Sequence, residues 1–463
     1  DDMNTLDSLL SYQINYLLTD KNLVQSYVYT LENLSESEYT AIRQSFNKKK
    51  EEAGLIDFDD MQLYMYNLLC IQKNQRVINY CRSQWEYFYV DEFQDTSRIQ
   101  FAILQAMVTD PKKLVVIGDD DQCLIEGTIV KTHRGYKPIE DIQPGDWVYS
   151  GIGGGETKGY LVDAVSKRKI TGEIVVIKTK GGREIKGTNS HIGFARIIPE
   201  NNVYYTYLMY KKDFGFRIGT TSGVRNGIDV RLMQEKADKL WILKRCATKE
   251  ESLYWESYYA YKYSIPMYRF VANEEGSAKT ALSLETIKQL HSELDTFSNG
   301  LRLLEDIGML YEYPHRIPQA TRDRYKINSS MFSSCQVSEY GMHKSELEAN
   351  SSNEDFVNIL RQYLSTTVRK KSDGDYTYYN SRSTIDDLDK QMDIIKKVGE
   401  DCKEKGIYLE VNRDAKFNEN KYMFMPFGNM IEGMMIPVIN RDTVEEDEII
   451  SVTKEQYDGY VYD

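Results

Sequence analysis

The chain has 463 residues, of which 41% are hydrophobic, and it carries a formal net charge of −13 at pH 7. It has no run of eighteen or more apolar residues and no signal-peptide pattern, which argues against a membrane span or secretion. The acidic balance argues against general affinity for nucleic acid, although it leaves room for a local basic groove. The six cysteines are scattered without a C-x-x-C pair, so we expect a multi-domain protein of the reducing cytoplasm without disulfides or zinc.

The first part of the chain predicts helices followed by two buried strands. Up to about Tyr80, apolar residues recur at three- and four-residue spacing, which is typical of helices. A β-rich run (87–90) is followed by a helix-like stretch (97–108) and by a second buried run (114–117) that leads into the acidic segment 118–122. A strand, a helix and a strand of this length predict a parallel pair whose carboxyl ends carry the acids, where open α/β sheets bind ligands.

The residue types at these strand ends suit nucleotide hydrolysis. An Asp at the end of a buried strand can hold Mg2+ through water, and a neighbouring Glu can orient or deprotonate the attacking water. A single Asp-Glu pair often does no more than end a strand. The presence of both "VDEFQDT" (90–96) and "VVIGDDDQ" (115–122) argues against that simpler interpretation.

Three stretches resemble consecutive motifs of the UvrD/PcrA-type superfamily 1 DNA helicases. They are "IDFDDM" (56–61), "YVDEFQDTSRIQ" (89–100) and "VVIGDDDQ" (115–122). The resemblance implies that residues 1–122 are a fragment of an α/β RecA-like ATP-binding domain. It further implies that the parent protein is an ATP-dependent 3'-5' DNA helicase that uses ATP and Mg2+ and binds DNA.

The same resemblance assigns roles to three residues. Asp91 would be the Mg2+ ligand, Glu92 the catalytic base of ATP hydrolysis, and Gln122 the residue that binds the γ-phosphate. The chain nevertheless lacks the G-x-x-x-x-G-K-[ST] phosphate loop and the later arginine-bearing motifs of the family. We therefore expect no ATP hydrolysis by this chain alone.

At Cys123 the pattern changes to that of a small β domain. The stretches "CLIEGTIV" (123–130) and "RGYKPIEDIQPGDWVYS" (134–150) resemble the amino-terminal block of inteins, which are self-splicing insertions with a Hint fold. Further along, "TNSH" (188–191) resembles the second intein block, T-x-x-H. The resemblance implies an all-β Hint domain, with residues 1–122 as the segment that precedes the intein.

The chemistry of peptide cleavage by a thiol explains why these residue types occur together. A free cysteine has a pKa of about 8.5 and needs activation, and the departing amide nitrogen needs a proton. His191 can supply that proton, and Thr188 can hold the scissile peptide in a strained geometry. Alone, Cys123 would be read as a small core residue and His191 as a structural histidine. Their position at the start of an insertion and their spacing favour catalysis.

An internal echo predicts that the Hint domain has two halves. Residues 137–150 and 425–438 each combine an apolar residue, a turn with glycine and a β run. We expect residues 123–205 to form the amino-terminal half and residues 420–463 an incomplete carboxy-terminal half.

The end of the chain resembles the start of a later intein block. In "VYD" (461–463) the acid Asp463 would serve the proton transfers around the thiol. The His-Asn pair and the downstream nucleophile of that block do not follow, so we expect a missing carboxy-terminal segment to be a partner. Because the chain begins with Asp1 rather than Met, we expect it to be a fragment or a processed product.

Residues 206–419 are predicted to be a mixed α/β insertion that is a degenerate, endonuclease-like domain. Three stretches within it read as helical: "LMQEKADKLWILKR" (232–245), "LSLETIKQLHSEL" (282–294) and "DFVNILRQYL" (355–364). No H-N-H pattern is present. The stretch "AGLIDFDDM" (53–61) looks like the LAGLIDADG signature of homing endonucleases, but it lies outside the insertion and the helicase motif explains it better.

Two alternatives to splicing stay open at this point. The insertion could be an accessory DNA-binding domain of an ordinary helicase fragment, or it could be chiefly a metal-dependent endonuclease. His291, His315 and His343 are isolated in the sequence, which favours surface or core positions for them over metal binding.

Overall fold

In the computed structural model the chain forms two compact units, which are described separately. The first contains residues 1–121, 142–147 and 161–165, and the second contains residues 122–141, 148–160 and 166–463. The structure describes residues 13–14, 35–90, 96–116, 123–162, 164–198, 200–224, 227–270, 282–318, 325–338, 341–370 and 377–463. Within these ranges no helix combines the length and the apolarity that a membrane span requires.

The first unit contains four helices and a parallel pair of strands among its described residues. The helices are α1 (Glu36–Ala53), α2 (Phe58–Tyr66), α3 (Gln75–Gln84) and α4 (Arg98–Met107), with a π-helical turn at Asn67–Ile71 and a 3-10 turn at Pro111–Lys113. The strands are β1 (Phe88–Val90) and β2 (Leu114–Val116). They pair in parallel with Val90 beside Val116, so both strands end at the same edge, as the strand–helix–strand spacing predicts.

Local hydrogen bonds account for the endonuclease-like stretch at residues 53–61. Asp57 caps α2 by accepting from the Asp60 backbone N–H, and the Asp60 carboxylate accepts from the Asp57 backbone N–H in return. The Lys50 ammonium lies 2.6 Å from Asp57 and 2.8 Å from Asp60. These two acids therefore begin a helix and neutralise a lysine.

The second unit is dominated by β structure. Between residues 123 and 197 its strands are β3 (Leu124–Ile125), β4 (Ile129–Thr132), β5 (Gly135–Pro138), β6 (Trp147–Gly153), β7 (Glu156–Leu161), β8 (Lys167–Thr179), β9 (Glu184–Gly187) and β10 (Ile192–Ile197).

Strands from the end of the chain complete this sheet. They are β19 (Tyr422–Pro426), β20 (Met434–Asn440) and β21 (Thr443–Tyr462), and β10 pairs with both β19 and β20. The long strand β21 runs antiparallel along the whole of β8 and also pairs with β3, β7 and β20. The beginning and the end of the unit thus share one sheet.

The sequence echo corresponds to a repeated local conformation. In its first copy β5 ends at Pro138, and a 3-10 turn (Ile139–Asp141) and Gly145, with φ of 95°, precede β6. In its second copy β19 ends at Pro426, and a 3-10 turn (Phe427–Asn429) and Gly433, with φ of 82°, precede β20. Positive φ favours glycine at the same place in both copies.

The stretch between these two sets of strands has two consecutive parts. The first contains β11 (Tyr204–Lys211), β12 (Gly215–Ser222), α5 (Gly227–Gln234), β13 (Lys239–Cys246), α6 (Lys249–Tyr263), α7 (Leu284–Glu293) and α8 (Thr296–Ile307). The second contains β14 (Lys326–Met331), β15 (Ser345–Ser351), α9 (Glu354–Leu360), β16 (Ser365–Lys370), β17 (Thr377–Ile385), α10 (Leu388–Glu404) and β18 (Glu410–Ala415). The first has a three-stranded sheet, and the second joins the large sheet through β18 and β19.

One helix prediction in this region is wrong. The stretch 232–245 is helical only to Gln234. Its residues from Lys239 onward form most of β13. Lys236 has φ of 50°, which ends the helical path, and four successive apolar residues, Leu240 to Leu243, are all buried. A strand buried on both faces has no alternation, so its pattern cannot be told from that of a buried helix.

Candidate functional site

Cys123 lies one residue before the short strand β3, which pairs with β9 and β21. Leu124, the next residue, is opposite Gly187 of β9 and opposite Tyr462 of β21. Extending both antiparallel registers by one residue places Thr188 and Asp463 on either side of Cys123. The Cys123 residue is 3% exposed. The topology therefore brings three of the residues predicted from the intein motifs to one place.

Thr188 contacts the backbone of Cys123 at both its N–H and its carbonyl oxygen. The Cys123 N–H donates to Thr188 Oγ1 at 3.0 Å, and the Thr188 N–H donates to the Cys123 carbonyl oxygen at 2.9 Å. The Thr188 hydroxyl in turn donates to that carbonyl oxygen at 3.2 Å. A hydroxyl has one donor and two acceptor positions, so this arrangement is self-consistent. It fixes the nitrogen of the Gln122–Cys123 peptide against the Thr188 hydroxyl.

His191 follows Thr188 by one turn. The His191 N–H donates to the Thr188 carbonyl oxygen at 3.2 Å, which closes the turn ahead of β10. The His191 ring packs edge-on against the Phe427 ring, with their centroids 4.7 Å apart. A Cβ added at Gly187 would lie 3.0 Å from both Phe427 Cε2 and the Cys123 carbonyl oxygen, so the absence of a side chain there lets Phe427 approach. Phe427 was not among the residues predicted for the site, although it lies in the repeated stretch.

The 3-10 turn that carries Phe427 is fastened to the T-x-x-H turn by main-chain bonds. The Phe427 N–H donates to the His191 carbonyl oxygen at 2.9 Å, and the Gly428 N–H donates to the Asn189 carbonyl oxygen at 2.9 Å. A Cβ added at Gly428 would clash with Asn189 Oδ1 and with the carbonyl oxygen of Gly308. Three segments of the chain therefore meet at Gly428 with no space for a side chain.

We expect Gly428→Ala to destabilise the second unit by about 1–3 kcal/mol, because a methyl group would have to displace backbone on a neighbouring segment. The measurement is the thermal unfolding midpoint. Gly172→Ala is the matched control, since nothing lies within 4 Å of its added Cβ. Equal midpoints for the two variants would contradict the tight junction at Gly428.

Asp463 is held at this position by its main chain. The Ser166 N–H donates to the Asp463 carbonyl oxygen at 2.8 Å, and the Asp463 N–H donates to the Ser166 carbonyl oxygen at 3.3 Å. Its side chain is exposed.

Comparison with known proteins shows which proteins the first part of the chain is similar to. Residues 3–125 match the UvrD/REP helicase N-terminal domain. A probable DNA helicase II homolog of Mycoplasma capricolum is 28% identical over 123 residues, which are 27% of this chain and 17% of that protein. DNA helicase II of Escherichia coli is 29% identical over 105 residues, 23% of this chain and 14% of that protein. This part of the chain is homologous to UvrD/PcrA-type DNA helicases.

These matches cover short parts of the proteins concerned. The ATP-dependent DNA helicase PcrA of Staphylococcus aureus is 33% identical over 83 residues, 18% of this chain and 11% of that protein. The chain spans less than a fifth of the length of these relatives. Among solved structures, a splice-inactive variant of the AceL NrdHF class 3 split intein, linked to glutathione, overlaps 22% of this chain and 78% of its own at 18% identity and a TM-score of 0.16. This overlap is too small to define a common fold.

The helicase residues predicted to bind nucleotide fall outside the described residues. Asp91, Glu92 and Gln122 belong to segments that follow β1 and β2, and their roles stay predictions. The described residues show that β1 and β2 pair in parallel and end at the same edge. In the described part of the chain, no group of three or more His, Cys, Asp or Glu side chains could hold a metal ion.

Two of the three isolated histidines are core residues. His291 is 1% exposed and His315 is 0% exposed, whereas His343 is half-buried and its Nδ1 lies 3.2 Å from the Ser334 carbonyl oxygen. Burial lowers the pKa of both His291 and His315 to about 4, which makes them neutral at pH 7. Both are therefore packing and hydrogen-bonding residues in the folded chain.

Proposed function

We propose that the chain from Cys123 onward is an intein that interrupts a UvrD/PcrA-like DNA helicase. Cys123 begins splicing by attacking the carbonyl carbon of Gln122. The observation that carries this proposal is the hydrogen bond from the Cys123 N–H to Thr188 Oγ1 at 3.0 Å. It connects the T-x-x-H motif directly to the peptide nitrogen that such an attack releases.

The reaction is an acyl shift from nitrogen to sulfur. The Cys123 thiol loses its proton, its sulfur bonds to the Gln122 carbonyl carbon, and the bond from that carbon to the Cys123 nitrogen breaks. The nitrogen takes up a proton and becomes a free amine, so the thioester form of the chain has the same atoms as the original peptide. No oxidant, metal or nucleotide is consumed.

We assign a part in this shift to each of three residues predicted from the intein motifs. Thr188 holds the nitrogen of the scissile peptide through its hydroxyl and holds the Cys123 carbonyl oxygen of the next peptide, which limits rotation of the backbone at Cys123. His191 donates the proton to the departing nitrogen. Asp463, opposite Cys123 in the strand register, accepts the thiol proton.

Two observations support a boundary at this point in the chain. The match to the helicase domain ends at residue 125, two residues past Cys123. The compact first unit ends its main segment at Asp121. An insertion that interrupts a γ-phosphate-binding motif would leave the helicase inactive until it is excised.

The test is incubation of the purified chain with excess 2-mercaptoethanesulfonate. A thioester exchanges with small thiols, so we expect release of residues 1–122 as a thioester of the added thiol and of residues 123–463 with a free amino terminus. Intact-mass spectrometry identifies both pieces. A phosphine reductant, which cannot form a thioester, serves as the control and should leave the chain intact.

The alternatives give different results in this experiment. A helicase fragment with an accessory DNA-binding or endonuclease insertion would remain intact in thiol. It would instead bind or cut DNA, with an affinity that falls steeply with salt. Persistence of the full chain in thiol therefore contradicts splicing.

For the interrupted parent protein we propose ATP-dependent 3'-5' DNA unwinding. Asp91 would hold Mg2+, Glu92 would act as the base toward water and Gln122 would contact the γ-phosphate of ATP. Support comes from the homology to UvrD/PcrA helicases and from the shared edge of β1 and β2.

We expect the 463-residue chain to show no DNA-stimulated ATP hydrolysis, because it contains no phosphate-binding loop sequence. The measurement is phosphate release with and without single-stranded DNA. Turnover that disappears in the double variant Asp91→Ala, Glu92→Ala would contradict this expectation.

A further inference from the structure

The 3-10 turn at residues 427–429 is held from two sides. On one side Phe427 and Gly428 bond to the T-x-x-H turn and Phe427 packs on the His191 ring. On the other side Asn429 bonds to the segment that follows α8, more than a hundred residues earlier in the chain. The turn thus links the proposed splicing site to the inserted region.

The Asn429 side chain uses all of its amide donors in this link. Its Nδ2 donates to the carbonyl oxygens of Leu310 at 3.0 Å and Tyr313 at 2.8 Å, and its Oδ1 accepts from the Leu310 N–H at 2.8 Å. The residue is 0% exposed. Buried amide groups that are fully bonded permit one geometry, because any shift leaves a polar group without a partner.

His315 adds a second connection to the same residue. Its Nδ1 accepts from the Ile242 N–H at 2.7 Å, so the ring proton is on Nε2. Nε2 then donates to the Asn429 carbonyl oxygen at 2.5 Å. His315 therefore connects β13 of the insertion to the turn that carries Phe427.

We infer that Asn429 and His315 are positioning residues through which the inserted region sets the orientation of the His191 ring. The consequence of this link for the cleavage rate rests on the proposed splicing function. The inserted region then helps to hold the cleavage site in its reactive geometry, and removing that region would disturb the site. A loss of the link leaves Cys123 and Thr188 in place but allows Phe427, and with it His191, to move.

Two substitutions of His315 separate this role from general stability. In His315→Gln the side-chain amide can occupy the place of Nε2 and still donate to Asn429, while the Ile242 N–H loses its acceptor. In His315→Asn the amide oxygen can occupy the place of Nδ1 and keep the Ile242 bond, while the bond to Asn429 is lost. Each variant gives up one buried hydrogen bond, so the two are matched in what they remove.

We expect His315→Asn to slow thiol-induced cleavage about tenfold, the effect of one lost hydrogen bond on the barrier, and His315→Gln to stay within about twofold of the unchanged chain. Tyr263→Phe is the further control, because it removes the hydrogen bond of 2.6 Å from the Tyr263 hydroxyl to Asp306 and none of the bonds to Asn429 or His315. Equal rates for the two His315 variants, whether slow or fast, overturn the inference.

A second readout does not depend on cleavage. In a Cys123→Ala background, the Cε1–H resonance of His191 reports the position of the Phe427 ring through its ring current. It is assigned by comparison with His191→Gln. We expect it to shift in His315→Asn and to keep its position in His315→Gln and Tyr263→Phe; an unshifted resonance in His315→Asn overturns the inference even if splicing itself is disproved.

Discussion

Cys123→Ala should abolish release of residues 1–122 in thiol, because the alanine methyl group cannot form a thioester. Mass spectrometry after overnight incubation measures the remaining intact chain. Cys335→Ala is the matched control, since that thiol is exposed and lies elsewhere in the second unit. Normal cleavage of the Cys123→Ala chain would remove the basis of the splicing proposal.

The two residues of the T-x-x-H motif should give graded effects in the same assay. His191→Ala should slow release by roughly 10²–10⁴-fold if its ring protonates the departing nitrogen. His133→Ala, at an exposed position of the β4–β5 turn, should have no effect. Thr188→Ala should also slow release, whereas Thr188→Ser retains the hydroxyl on the Cys123 nitrogen and should preserve most of the rate.

Glu235→Ala should produce the largest loss of stability in the second unit. Arg217 and Glu235 form a salt bridge with side chains 5% and 1% exposed, and the second Glu235 oxygen accepts from the Phe270 N–H at 3.1 Å. The Arg217 guanidinium also donates to the carbonyl oxygens of Ile218 and Met267. Removing the carboxylate leaves a buried guanidinium without its ion-pair partner, which typically destabilises a fold by about 3–5 kcal/mol.

The measurement for Glu235→Ala is the urea midpoint of the transition that belongs to the second unit. Glu184→Ala is the control, because its carboxylate pairs with Lys178 and Lys186 at the surface. Exposed pairs of this kind contribute about 0–1 kcal/mol, so its midpoint should barely move. A small effect in both variants would show that the buried pair is compensated by its surroundings.

Part of this architecture could be predicted because it depends on neighbouring residues. The parallel pairing of β1 and β2 follows from a strand–helix–strand of minimal length, and α4 at Arg98–Met107 lies within the predicted stretch 97–108. The repeated turn before β6 and β20 was visible because Gly145 and Gly433 mark the same positive-φ position. Local pattern failed at residues 239–246, where burial on both faces removes the alternation that distinguishes a strand.

The amino-acid sequence by itself determined the homology of the first part to helicases and predicted the reactive residues: the motifs at residues 56–61, 89–100 and 115–122, the thiol of Cys123 and the T-x-x-H motif. These are short stretches in which the residue types and their spacing indicate a function without knowledge of the fold. Only the tertiary structure decided what surrounds Cys123, because Thr188 and Asp463 reach it through strand registers between distant parts of the chain. The link from Asn429 to Leu310 spans 119 residues, and its hydrogen bonds depend on the packing of distant segments rather than on any local pattern.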